Sequence, residues 1–189
     1  MAQVLIQLQE EHRNAARLLN ILEGQLAIFD AASRPDYEIL TGIAEYFTGF
    51  PERCHHPKED LVYRKLRERD PAAAQIVGDL EAEHERIAEL AQRFREAVSN
   101  VMGEAEMPRS AFDAVLRQFI AEQRRHMEME AESFFSRAIA RLTDADWAEI
   151  DAQVSDEQDP LFGPEVAEEF AKLRDDILRW EAEDQAASA

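Results

Sequence analysis

Five histidines lie along this chain of 189 residues, and four of them fall into a pattern that can bind metal. His55 is followed four residues later by Glu59, and His126 four residues later by Glu130. On a helix that spacing places both side chains on one face, about one turn apart. Imidazole binds a transition metal terminally, and a carboxylate can bridge two. His84 lies 72 residues after His12, while His126 and Glu130 each lie 71 after His55 and Glu59. The chain thus reads twice as a segment with one His, then a segment with His-x-x-x-Glu. Local sequence agrees, since Leu8-Gln9-Glu10-Glu11-His12-Arg13 resembles Leu80-Glu81-Ala82-Glu83-His84-Glu85. Brought into one core, His12, His55, Glu59, His84, His126 and Glu130 suit a pair of metal ions. A metal also accounts for carboxylates that face inward, because a buried carboxylate without a partner is costly.

The elements that must position these residues read as helices. Six Gly and seven Pro leave few turns, and the abundance of Ala, Leu, Glu, Gln and Arg favours helix. Val4, Leu5, Leu8, Ala15, Leu18, Leu19, Leu22 and Leu26 form an apolar stripe on a first helix ending near Phe29. The segment Asp30 to Pro35 breaks it. A second helix runs from about Asp36 to Arg69, with Pro51 and Pro57 expected to bend or open it. Asp70 caps a third helix that begins at Pro71 and runs to about Ser99. Asn100 to Pro108 forms a loop, and a fourth helix begins at Ser110 or at the Met107-Pro108 step and runs to Leu142. Thr143 caps a short helix to about Val154. Pro164 is expected to start a last helix ending near Trp180, with 182–189 frayed. The expected fold is all-α, an up-down-up-down four-helix bundle over 1–142, with 143–189 as a helical extension packed on it.

In an antiparallel bundle, residues equally far from a connecting turn face each other. The midpoint of His12 and His55 is 33.5, that of His55 and His84 is 69.5, and that of His84 and His126 is 105. Each falls in a break placed from Pro, Gly and capping residues, so four histidines share one level. His56 lies about 100° around the helix from His55 and is expected outside that layer, exposed or in support of it. Glu122 precedes His126 by four, but its repeat counterpart is Pro51, so the repeat selects Glu130. Glu128 is expected to point away.

The net charge of −19 argues against nucleic acid, whose phosphates are bound through Lys and Arg. It equally disfavours an anionic membrane surface. Cys54 is the only cysteine, which excludes an internal disulfide and a Cys-based metal site; it reads as a small buried residue or a redox thiol. No basic stretch followed by an apolar run opens the chain, and no segment approaches the roughly 20 apolar residues needed to span a bilayer. The expected location is the cytoplasm.

The pattern His, His-x-x-x-Glu, His, His-x-x-x-Glu resembles the hemerythrin-like, or HHE cation-binding, family. The run Cys54-His55-His56-Pro57-Lys58-Glu59-Asp60 is similar to that family's second-helix motif, and the resemblance covers about residues 4–142. It implies two iron ions with an oxo or hydroxo bridge, and binding of O₂, NO or peroxide at an open position. Iron comes from the resemblance, since the ligand types alone also permit zinc or manganese. Oxygen carriers of this family have two histidines four apart on the third helix, whereas Leu80 and Ala88 flank His84 here. Their last carboxylate is an Asp five residues after the fourth-helix His, whereas Glu130 is at four. The four-His, two-Glu set is more similar to the iron-sensing and iron-centre-repair members. The expectation is a binding protein that senses or scavenges a small ligand, with a di-iron redox enzyme or a repair protein as the alternative. No protein partner is indicated.

Overall fold

The computed structural model describes residues 2–103, 107–155 and 157–187, and among these there is no strand. Helix α1 spans Gln3–Asp30. No side chain caps its start from within the helix. Instead Asp151 accepts from the N–H groups of Gln3 and Val4, at 3.1 and 2.8 Å. A carboxylate there satisfies free donors and meets the positive end of the helix dipole. Asp36 caps α2, Tyr37–Phe50, by accepting from Glu38 and Ile39.

The second long helix continues through a π turn, Pro51–His55, into α3, His56–Arg69. Here the His56 N–H reaches back to the Pro51 carbonyl, five residues away. This widened turn is the form taken by the opening that the two prolines imply. A second π turn, Glu130–Phe134, links α6, Arg109–Met129, to α7, Phe135–Arg141. No proline or glycine marks it, and nothing in the sequence announces it.

The third helix differs from the single element expected from Pro71 to Ser99. Asp70 caps α4, Pro71–Val77, accepting from Ala73. Gly78 then adopts φ +93°, a left-handed conformation that ends the helix and that a side chain would oppose. Asp79 caps a new helix, α5, Leu80–Met102, and the Tyr63 hydroxyl donates to the Gly78 carbonyl. Because α4 packs back against α3, α5 still delivers His84 to the level of His55. The expected loop from Asn100 begins only after Met102, and its residues 104–106 lie outside the described residues.

A capping box between Thr143 and Asp146 starts α8, Asp144–Asp151, which ends before the expected Val154. The last helix also departs from expectation. Pro164 does not start it: Asp159 closes a turn there by accepting from Leu161 and Phe162. After a 3₁₀ turn at Glu168–Phe170, α9 runs from Ala171 to Ala187, past the expected end at Trp180. Two glycines receive α9. A Cβ at Gly24 would lie 2.3 Å from the Trp180 ring, and one at Gly42 would lie 3.1 Å from Leu173.

The four long rods are α1, α2–α3, α5 and α6–α7. Their apolar core is divided in two. One part gathers Leu18, Leu22, Phe47, Phe94 and Phe119, and the other gathers Leu8, Val62, Leu66, Phe134 and Phe135. Between them on every rod lies a buried histidine or carboxylate, so a polar layer crosses the bundle. No helix among the described residues is long and apolar enough to cross a membrane.

Candidate metal centre

The polar layer contains all six side chains named from the spacing, and each rod delivers its share. His12 comes from α1. His55 closes the first π turn and Glu59 lies one turn on in α3. His84 comes from the first turns of α5, His126 from α6, and Glu130 opens the second π turn. Both glutamates are completely buried.

The two carboxylates face two sides. Glu59 turns Oε1 toward Nε2 of His12 and of His55, both at 3.4 Å, and Oε2 toward Nε2 of His84 at 3.3 Å. Glu130 turns Oε2 toward His12 at 3.2 Å, and Oε1 toward His84 and His126 at 3.5 and 3.3 Å. One position therefore lies among His12, His55 and one oxygen of each glutamate. The other lies among His84, His126 and the second oxygen of each.

The donor set fits metal. All four glutamate oxygens, and Nε2 of His12, His84 and His126, are buried without a hydrogen bond among the described residues. Their lone pairs converge on common points rather than on one another. Bonds of about 2.1 Å to a shared ion place neighbouring donors about 3.0–3.4 Å apart, which is the spacing found. Without such a ligand, so many buried unsatisfied atoms would be strongly destabilising.

His56 departs from the expected placement outside the layer, exposed or in support of it. It is buried, and its ring stacks on His84 with centroids 4.2 Å apart and planes 7° from parallel. Together with Glu59, His84 and His126 it offers a ligand atom to the second position, while His12, His55 and Glu59 group at the first. The physical reason is the widened turn at Pro51–His55. It lets two successive residues face inward, His55 toward His12 and His56 toward His84. Regular 100° spacing could not predict this, although the paired prolines were a signal that the spacing would fail.

Outer partners orient the rings. Glu11 accepts from Nδ1 of His55 at 2.8 Å and also binds the buried Lys58 ammonium. Asp60 meets Nδ1 of His84 at 3.0 Å, and Glu52 lies 3.1 Å from Nδ1 of His56. The hydrogen bonds at His55 and His84 fix their tautomers, so that Nε2 carries the free lone pair. Glu11 and Asp60 escaped the sequence reading because each acts across to another helix. Glu122 pairs with Arg86 and Arg125 away from the site, and Glu128 is exposed, both as expected. Cys54 is buried, and burial with Glu157 alongside pushes its thiol up to about 12, so it stays protonated at neutral pH.

Charge within the metal-free layer is balanced by protons. Burial opposes protonation of His12 and His84, but the carboxylates outweigh it. Glu130 and Glu59 raise His12 to about 10, and Asp60, Glu130 and Glu59 raise His84 to about 11. Burial dominates at His126 and lowers it to about 4. For Glu59, burial is outweighed by His55, His12 and His84, which hold it well below the usual carboxylate range.

Asp60→Asn tests the outer partners. It removes the charge behind His84 at a partly exposed position and is expected to weaken metal binding about 10- to 100-fold with the fold intact. Chelator competition and circular dichroism measure the two effects.

Fold and layer together define a class: a four-helix bundle with a buried cation site of imidazoles and carboxylates between two apolar cores. The family model described as Hemerythrin HHE cation binding domain matches residues 4–138. The chain belongs to the hemerythrin HHE cation-binding family. Searches of the curated proteins and of the solved structures gave no match.

Proposed function

We propose that the layer holds two iron ions and that the protein binds, senses or scavenges a small ligand such as O₂, NO or peroxide. His12, His55, Glu59, His84, His126 and Glu130 would hold the pair, with His56 as a further ligand on the His84 side. One observation carries this reading: each buried glutamate turns one oxygen to each of two histidine groups, with no hydrogen bond to either. Iron in such a site supplies reversible electron transfer and an exchangeable position for a ligand. The protein's own groups orient and enclose. Glu11 and Asp60 hold His55 and His84 in place, and the two apolar cores keep water from the carboxylates.

A cavity of about 30 Å³ lies against the site, lined by His12, His55, His56 and His126 with aromatic side chains behind them. Since about 10–15 Å³ holds one water, this space suits a ligand of two or three atoms. The reading keeps the cytoplasm as the expected location. It treats 143–189 as an extension of the bundle, because Asp159 accepts from Tyr46 at 2.9 Å and Trp180 rests on Gly24.

The test is metal analysis of the full chain purified from iron-replete cells, with optical spectra before and after air and NO. Near two irons per chain and a ferric charge-transfer band that NO alters are expected. Protein without iron and without that band would sink the proposal. A redox enzyme is the second reading, favoured by two positions that share both carboxylates and so permit a two-electron change. Sustained peroxide or NO consumption would select it.

A further inference from the structure

Beside the candidate centre, three polar side chains other than histidine line the cavity: Glu11, Tyr46 and Gln123. Two of them are already engaged. Glu11 is held by His55 and Lys58, and the Tyr46 hydroxyl donates to Asp159 at 2.9 Å. Gln123 differs. It is only 6% exposed, yet its amide has no hydrogen-bond partner among the described residues. Its amide atoms are not fully occluded. An amide that no protein group engages and that is not sealed off keeps its donors free for whatever occupies the cavity. The apolar part of the wall includes Phe47, Phe50 and Met127.

Its place on the helix gives the amide a direction. Gln123 lies three residues before His126, on the same face of α6 and one turn away. Both residues line the cavity, so a molecule seated between them meets the centre at one end and the amide at the other. Glutamine offers two N–H donors and one acceptor. Where Glu11 and Tyr46 are already engaged, a free donor favours ligands with negative charge on their outer atom over neutral ligands of the same size.

We propose that Gln123 is a specificity-determining residue of this cavity, its amide N–H donating to the outer atom of a small anionic or strongly polarised ligand held against the metal centre. This rests on reading the layer as a metal centre, and the experiment separates the two. Sodium azide serves as the probe, a three-atom anion matched to the cavity. The full-length, iron-loaded, air-oxidised protein is titrated with azide beside Gln123→Met, which keeps length and bulk and removes the donor.

The variant is expected to hold its iron while its azide Kd rises about ten- to hundredfold, the range for a hydrogen bond to a charged partner. In the unaltered protein the infrared stretch of bound azide is expected to move when H₂O is replaced by D₂O. In the variant that movement is expected to vanish. An unchanged Kd with full iron content overturns the proposal and leaves the metal reading intact. Loss of iron from a folded Met variant also overturns it, because Gln123 would then hold the centre rather than its ligand. Should the Met variant not fold, Gln123→Asn decides: its amide, withdrawn by one methylene, is expected to weaken azide, and unchanged affinity overturns the proposal. An unaltered protein that takes up no iron overturns both readings together.

Discussion

Glu59→Ala is expected to empty both metal positions at once and leave a folded, metal-free bundle. Glu59, like Glu130, faces both positions: its Oε1 serves His12 and His55 while Oε2 serves His84. Loss of an outer partner of a ligand weakens a metal about 10- to 100-fold. Loss of a ligand shared by two positions should exceed the upper end of that range. The fold should persist, because the apolar clusters on either side of the layer do not depend on the carboxylate. Metal-to-protein ratio after passage over a chelating resin reads the first effect, and far-ultraviolet circular dichroism reads the second. Glu128→Ala is the control, an exposed glutamate close by in sequence to Glu130, and it should leave occupancy unchanged. Full metal content in Glu59→Ala would refute the shared-ligand geometry.

The second large effect is on pH. In the metal-free fold His12 and His84 are protonated at neutral pH, raised to about 10 and about 11. A metal needs the lone pair each proton occupies, so loading must displace both. One proton displaced at each position implies an apparent affinity for each ion that rises about tenfold per pH unit below the folded pKa values, and about hundredfold for the pair. Stability of the metal-free protein should move the other way. A pKa raised in the fold from 6.5 to about 10 contributes stability that is complete below pH 6.5 and lost as pH rises toward 10. His126 has the opposite sign: lowered to about 4, it contributes stability above pH 6.5 that is lost as pH falls toward 4. Together these place the optimum of the stripped protein near pH 6.5 as far as these histidines decide it. Thermal melts of stripped protein across this range, with calorimetric loading in buffers of different ionisation enthalpy, measure both slopes. Loading that releases no protons would contradict the charge balance described.

The helical class, the four rods and the common level of His12, His55, His84 and His126 could be read from the residues. All three follow from local rules: the helical period, capping by Asp36, Asp70 and Thr143, and a repeat of 71 to 72 residues that sets equal heights on neighbouring rods. Tertiary packing decided the rest. The direction of each glutamate oxygen depends on which rods flank it, and no spacing along one helix encodes that. His56 turned inward because Pro51 and Pro57 widened a turn whose phase the regular period misplaced. Gly78 divided the third helix, and Asp159 delayed the last one, through contacts with Tyr63 and Tyr46 from distant segments. Glu11, Asp60 and Gln123 gained their roles only across helix boundaries or at a cavity wall. Sequence sets backbone period because the hydrogen bonds of a helix span four residues. It leaves open which faces meet, since that is settled by packing among side chains far apart in the chain.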